Sequence, residues 1–332
     1  MSSSAESPSG WRPGSQVGEW VLGQQLGAGG MGTVFAARHQ TTQVTAAIKV
    51  LSAEVDPELL LRFQREGQAQ ALVDDHPAIL RVRGAGEAWG RPYLVLEYAP
   101  GGDLAGRLRR GPLPPEQARA LLTQLAGGVE HLHRAGILHR DLKPENVLFD
   151  GQGRPRLTDF GLARFAGAES LTETGTLLGT PAYMAPEQAH GLELDARTDV
   201  YALGALLFAC LTGRAPLLGS SVLAVLSRVL EETPPAPSSL ASAVPADLDW
   251  VCARALSKDP AERYQSAAEF AAALSLSPSG PASPGPGSSA QSRWALAGVA
   301  LLALLGLGLL AAFSRDDLSP PVTPSPEAPT PG

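Results

Sequence analysis

The residues best placed to do chemistry lie between His139 and Gly161. They read His139-Arg140-Asp141-Leu142-Lys143-Pro144-Glu145-Asn146, then, after a short turn, Asp159-Phe160-Gly161. Asn146 is the only asparagine in the 332 residues, and Lys143 is one of three lysines among 26 lysines and arginines. A chain that otherwise uses arginine for its cations has put both rare residues within four positions. Side-chain geometry, beyond charge or polarity, is being specified. Transfer of a phosphoryl group to a hydroxyl explains the types. A carboxylate must orient the hydroxyl and accept its proton, which suits Asp141. Cations must neutralise the transferring oxygens, which suits Lys143 and a bound divalent metal. Magnesium takes hard oxygen ligands, and the Asp159 carboxylate and Asn146 amide supply them.

At this point the chain resembles the eukaryotic-type (Hanks-type) serine/threonine protein kinases, in their bacterial membrane-anchored form. The resemblance covers roughly 17–276. It implies a catalytic loop at 139–146 and a metal-binding Asp-Phe-Gly at 159–161. Lysine two residues after Asp141 is the serine/threonine form of the motif. The implied fold is α+β with two lobes, 17–98 and 99–276. The small lobe is an antiparallel β-sheet with one helix, and the larger lobe is mostly helical. The implied cofactors are ATP and Mg2+, with Mn2+ as a substitute.

Other elements must position this loop. Residues 20–38 read as two strands around Gly27-Ala28-Gly29-Gly30-Met31-Gly32-Thr33-Val34. Glycine lets backbone N–H groups approach phosphate oxygens with no Cβ in the way. By itself a glycine turn between strands is weak; beside the other motifs it fits a nucleotide loop that includes Gly27, Ala28, Gly29, Gly30, Gly32 and Val34. The next strand ends Ala46-Ala47-Ile48-Lys49, with Ala46 a small departure from the family pattern. The resemblance gives Lys49 to the α- and β-phosphates. A helix is expected from Pro57 to Leu72, with Asp56 as N-cap and an apolar face of Leu59, Leu60, Phe63 and Ala69. On it Glu66 resembles the glutamate that pairs with the strand lysine; the plainer reading is a surface i, i+4 pair with Arg62.

Two strands near 79–86 and 92–98 lead to Leu96-Glu97-Tyr98-Ala99. By resemblance this is the hinge. Leu96 guards the back pocket, Glu97 and Ala99 offer backbone groups to adenine, and Asp103 bonds ribose or caps the following helix. Leu121, Leu122, Leu125, Val129 and Leu132 mark a helix over 114–136. Between Asp159 and Ala185-Pro186-Glu187 lies an activation-loop segment with Ser170, Thr172, Thr174, Thr176 and Thr180. The resemblance makes Thr172, Thr174 and Thr176 candidate phosphosites, with Arg140 a partner for the added charge of about −1.5 to −2. The resemblance also puts Thr180 in the substrate platform. Asp199 is expected to open an apolar helix and therefore to be paired; the resemblance has it bond the catalytic-loop backbone and has Arg263 pair with Glu187. Three further helices are expected over 221–274.

Hydrophobic residues make up 44% of the chain, enough for a sizeable core, and the net charge of −7 argues against nucleic acid. Cys210 and Cys252 lie in apolar surroundings and read as buried free thiols of a reducing cytosol. No zinc spacing or internal repeat is present. Residues 1–16 are expected to be disordered, and 277–293 form a Ser/Pro/Gly linker. Residues 294–313 carry no charged side chain, and at about 1.5 Å each these span about 30 Å, the hydrocarbon thickness of a bilayer. A single transmembrane helix is expected there, followed by a Pro-rich extracytoplasmic tail at 314–332. With no signal peptide, the kinase domain is expected on the cytoplasmic side of the inner cell membrane. Expected partners are ATP, proteins bearing Ser or Thr, the membrane, and a second copy for trans-autophosphorylation. Two other readings are a catalytically silent pseudokinase scaffold, whose usual mark is loss of Lys49, Asp141 or Asp159, and a small-molecule kinase, which has no need of Gly179-Thr180-Pro181 with Ala185-Pro186-Glu187.

Overall fold

A computed structural model of the protein describes residues 10–29, 32–51, 67–160 and 181–275. The small lobe is an antiparallel six-stranded sheet in the order β1-β2-β3-β4-β6-β5. Its strands are β1 (Gln16–Val17), β2 (Trp20–Gly29), β3 (Gly32–His39), β4 (Thr45–Leu51), β5 (Val82–Ala88) and β6 (Arg91–Glu97). The helix α1 is described over 67–71. The strand β4 shows how the lobe is built, because it is covered on both faces. Ala46, Ile48 and Val50 turn to one apolar cluster with Phe35 and Val95, while Ala47 and Leu51 turn to another with Leu94 and Leu96. The two-residue period of a strand therefore puts Lys49 on the second face, beside Ala47 and Leu51. Ala46, the departure from the family pattern, is buried against the first cluster.

The first cluster corrects one expectation. The disordered lead-in was drawn to residue 16, but Trp11 is buried in the small-lobe core. Its ring stacks on Phe35 at 6.5 Å and meets Trp89 and Tyr93 edge-on at 5.1 and 5.9 Å. One tryptophan amid Ser, Pro and Gly carries no periodicity, so only the tertiary contact reveals it. Residues 1–9 lie outside the described residues.

The large lobe comprises α2 (Leu104–Leu108), α3 (Pro115–Arg134), the hairpin β7 (Val147–Phe149) and β8 (Pro155–Leu157), α4 (Pro186–Ala189), α5 (Ala196–Thr212), α6 (Val222–Glu231), α7 (Ala246–Ala255) and α8 (Ala267–Ser275). Its centre is α5, buried continuously from Thr198 to Leu211. A helix apolar on every side belongs in a core. It starts at Ala196, three residues before the expected Asp199, because the Asp195 side chain caps it by accepting from the Arg197 N–H at 2.8 Å. Gly213, left-handed at φ 76°, ends it. Helix α3 buries Leu121, Leu122, Leu125, Val129 and Leu132 as its period predicts. Cys210 and Cys252 are free and buried, and burial pushes the Cys210 thiol up to about 12.

Arg263, fully buried, joins α4 to α5 and to the turn before α8. Its Nη1 and Nη2 donate to the two Glu187 carboxylate oxygens at 2.7 and 2.8 Å. Nε bonds the Ser257 carbonyl at 2.7 Å, Nη1 that of Arg197 at 3.0 Å and Nη2 that of Lys258 at 3.1 Å. All five donors of the guanidinium are spent. Thr198 Oγ1 adds a bond to Glu187 at 2.9 Å. No helix among the described residues is long and apolar enough to cross a membrane, and the expected linker, span and tail at 277–332 lie outside them. Replacing Arg263 by Met strands the Glu187 carboxylate in the core. Chemical denaturation should show a loss of about 3–5 kcal/mol, against under about 1 kcal/mol for breaking the exposed Arg228–Glu232 pair.

Candidate active site

The candidate site is assembled on the N-terminal turn of α5. Asp199 is buried there, and a buried carboxylate needs partners. Its oxygens accept the N–H groups of His139 at 2.8 Å and Arg140 at 2.7 Å, and His133 Nε2 at 2.8 Å. Burial alone would raise its pKa, but the bonds from His133 and the loop N–H groups hold it below the usual carboxylate range. The loop is thereby bent so that Arg140 takes a left-handed φ of 65°, unusual for a residue with a Cβ. Gln188 Nε2 secures the same residue from the other side, donating to the Arg140 carbonyl at 2.8 Å.

The next residue, Asp141, is thus aimed by a fixed backbone. Lys143 Nζ meets its Oδ2 at 2.7 Å. Asn146 Nδ2 donates to the Asp141 carbonyl at 2.8 Å and to Oδ2 at 3.1 Å. With its NH2 spent on Asp141, Asn146 presents its amide oxygen as the group for a cation. This explains why asparagine is needed here: aspartate could not donate those bonds, and leucine could do neither.

Asp159 follows β8 and also has a left-handed φ, 57°. Its Oδ1 lies 2.8 Å from Lys49 Nζ, joining β4 of the small lobe to the large lobe. Burial would raise the Asp159 pKa, but the Lys49 ammonium, with Lys143 beyond it, keeps the carboxyl below its ordinary value. Phe160 is buried edge-on to His139, ring centroids 5.3 Å apart. Burial lowers the His139 pKa, so this imidazole is neutral and serves packing. The donor set of Asp159 carboxylate and Asn146 amide, both hard oxygens, fits Mg2+ completed by phosphate and water. No cluster of three or more His, Cys, Asp or Glu that could hold a metal unaided occurs among the described residues.

Several residues expected to hold a nucleotide lie around one apolar cluster. Ala47, Leu94 and Leu96 are buried in the cluster against which Val34, Ala99 and Leu148 pack, so both lobes contribute walls. Gly27, Ala28 and Gly29 end β2, and Gly32 opens β3. A Cβ on Gly32 would stand 2.0 Å from the Val50 carbonyl oxygen, so only glycine fits. The Glu97 N–H is spent on the Arg81 carbonyl at 2.9 Å. Asp103 caps α2, accepting from the Gly106 N–H at 2.6 Å. Gly30, Glu66, Gly161, Ser170, Thr172, Thr174, Thr176 and Thr180 lie outside the described residues. His133 and Gln188 escaped sequence reading. His133 acts through Asp199 and Gln188 on the Arg140 carbonyl, each from a helix whose own pattern shows only ordinary polar positions.

This geometry sits within a match to the protein kinase domain family over residues 20–273, and the chain belongs to that family. Over 263 residues it is 40% identical to "Serine/threonine-protein kinase PknB" of Mycobacterium leprae, covering 77% of this chain and 42% of the relative. It is 40% identical over 262 residues to "Probable serine/threonine-protein kinase SCO3848" of Streptomyces coelicolor, covering 76% and 39%. It is 37% identical over 258 residues to "Serine/threonine-protein kinase PknL" of Mycobacterium bovis, covering 77% and 64%. The match thus spans about two fifths of the PknB and SCO3848 relatives' length.

Because the folded-state pKa of Asp199 is depressed, its stabilisation is present above the ordinary aspartate value of about 3.9 and lost as pH falls through the lower folded value. Asp199→Asn should therefore cost about 3 kcal/mol at pH 7, with the gap to the parent narrowing as acid protonates the parent's carboxylate. Melting temperatures from neutral to acid pH test this.

Proposed function

We propose that the protein is a serine/threonine protein kinase that transfers the γ-phosphoryl group of Mg-ATP to Ser and Thr hydroxyls of proteins. The observation that carries this reading is the Asp141 carboxylate, held at one oxygen by both Lys143 and Asn146 on a backbone fixed by Asp199. Mg2+, when bound by Asp159 and Asn146, supplies charge neutralisation at the phosphate oxygens. The chain's own residues do the rest. Asp141 orients the incoming hydroxyl and takes up its proton as bonding to phosphorus develops. Lys143, already on Asp141, sits where it can share the charge of the transferring group. Lys49 reaches the cleft from β4 and exchanges part of its hold on Asp159 for the α- and β-phosphates. The apolar slot of Val34, Ala47, Leu96 and Leu148 takes the adenine, with the Glu97 carbonyl and Ala99 N–H along its edge. Asp103 reaches the ribose.

The finer reading adds autophosphorylation at Thr172, Thr174 or Thr176, with Thr180 in the substrate platform and Glu66 as the second partner of Lys49. Residues 294–313 anchor the chain in the inner membrane as a single span with the kinase domain in the cytoplasm, and a second copy serves as the substrate in trans. Supporting it are the Ser/Thr spacing before Ala185-Pro186-Glu187 and the uncharged 20-residue run.

Full chain in detergent, given labelled ATP, Mg2+ and a generic basic protein, should incorporate phosphate on Ser or Thr. Asp141→Asn should cut the rate by about 100-fold or more, and Lys49→Met similarly. Folded wild type that binds Mg-ATP but transfers nothing would favour the scaffold reading. In the active protein, phosphopeptides should map to 170–176; active protein with none there would refute the autophosphorylation site.

A further inference from the structure

A buried guanidinium lies behind the hinge, outside the phosphoryl-transfer residues. Arg156, on β8, is buried. Its Nη1 donates to the Pro77 carbonyl, on the segment that leaves α1. Its Nη2 donates to Asp150 Oδ2 at 3.0 Å, just past β7. Asp150 is itself held fast. Its Oδ1 accepts the N–H groups of Gln152 and Arg154 at 2.9 Å each, and Oδ2 accepts Arg154 Nε at 2.8 Å. Burial would raise the Asp150 pKa, but the bonds from Arg154, Gln152 and Arg156 bring it down to about 2, so this anchor stays charged at neutral pH. Arg156 is therefore fixed to the large lobe.

Its third neighbour is different. Glu97, at the end of β6, brings Oε1 only to 3.8 Å from Arg156 Nη2. That is the outer reach of an ion pair and too long for a hydrogen bond. Among the described residues, Glu97 Oε2 and Arg156 Nε are both buried with no hydrogen-bond partner. The half-made pair thus leaves one unspent acceptor on Glu97 and one unspent donor on Arg156. A shift of about 1 Å would bring the charged pair to ordinary hydrogen-bonding distance. Asp150 and Pro77 hold Arg156, so the shift must come from Glu97 and the connector it begins. That connector is tied farther on to the same hairpin, Gly101 N–H to the Phe149 carbonyl at 2.8 Å and Phe149 N–H to the Gly102 carbonyl at 2.9 Å.

We propose that Arg156 is a positioning residue for nucleotide binding: its guanidinium closes on the Glu97 carboxylate when the 97–99 backbone takes up adenine, and so sets the hinge at the depth the base requires. The inference rests on the nucleotide reading of the cleft given above. Neither side chain touches reacting atoms, so the effect falls on nucleotide affinity and leaves the chemical step alone.

The test uses full-length Glu97→Gln and Arg156→Lys proteins and their double variant, with MgADP affinity by calorimetry, KM for ATP, kcat and melting temperature. Glu97→Gln is isosteric at a hinge position and leaves the Asp150 anchor intact. It should weaken MgADP about three- to ten-fold and raise KM for ATP in step. Arg156→Lys keeps the charge but loses the fork; its MgADP affinity and KM should fall between parent and Glu97→Gln, with kcat within about two-fold of the parent. The double variant should bind no more weakly than Glu97→Gln alone, because both changes remove one interaction. Unchanged or tighter MgADP binding in Glu97→Gln would overturn the proposal, as would a lowered melting temperature with affinity and KM intact, which is the mark of a brace alone. Parent protein that binds no MgADP would instead overturn the nucleotide reading itself.

Discussion

The geometry of the cleft depends on one buried carboxylate. Asp199 sits in the first turn of the most buried of the described helices and spends its oxygens on two consecutive backbone N–H groups and one imidazole. Burying a charge is costly, and the cost is offset only when its partners are fixed. The same bonds force Arg140 into a left-handed conformation that costs about 1–2 kcal/mol for a residue with a Cβ. The strain is sustained because both sides of Arg140 are held, its N–H by Asp199 and its carbonyl by Gln188. The direction of Asp141 is thus set by the large-lobe core, and the loop itself has little freedom to choose it.

A second rigid point stands beside the first. The Glu187–Arg263 pair fixes α4, from which Gln188 reaches the loop, to the start of α5. The three lysines converge on these fixed points. Lys49 bonds Asp159 and Lys143 bonds Asp141. Lys258 donates to the Val229 carbonyl at 2.7 Å and stands 5.8 Å over the Tyr201 ring. Burial and the nearby Arg263 bring its pKa down to about 8. A compact ammonium fits each of these places, where a planar fork would demand more space and more acceptors. The rarity of lysine in the chain thus has a geometric counterpart at every occurrence.

Among the described residues, the two lobes meet through few polar ties. Lys49 to Asp159 crosses the front of the cleft. Behind it, the 78–80 segment runs against β8, with the Leu80 N–H on the Leu157 carbonyl and the Leu157 N–H on the Ala78 carbonyl. Arg156 lies between these ties and the hinge. A guanidinium there touches segments that come from both lobes, so its environment registers how they are set.

The motif at 139–161 singled out Asp141, Lys143, Asn146 and Asp159 as candidates, because the chemistry asks each for a particular functional group, and the resemblance added Lys49. Periodicity identified α3, because its apolar residues recur at the spacing of one face. The sequence also showed that Asp199 needed partners, since a charge entering an apolar run must be compensated, while the pairing of Arg263 with Glu187 came from the family resemblance. What it could not show was distance across the chain. Trp11 in the small-lobe core, Gln188 on the Arg140 carbonyl and Arg156 behind Glu97 each depend on segments that meet only when the chain folds. A lone tryptophan, glutamine or arginine has no local pattern to betray it. The residue types were therefore written locally, while their orientation was decided by burial, which alone makes an unsatisfied charge or carbonyl costly enough to dictate where the neighbouring backbone goes.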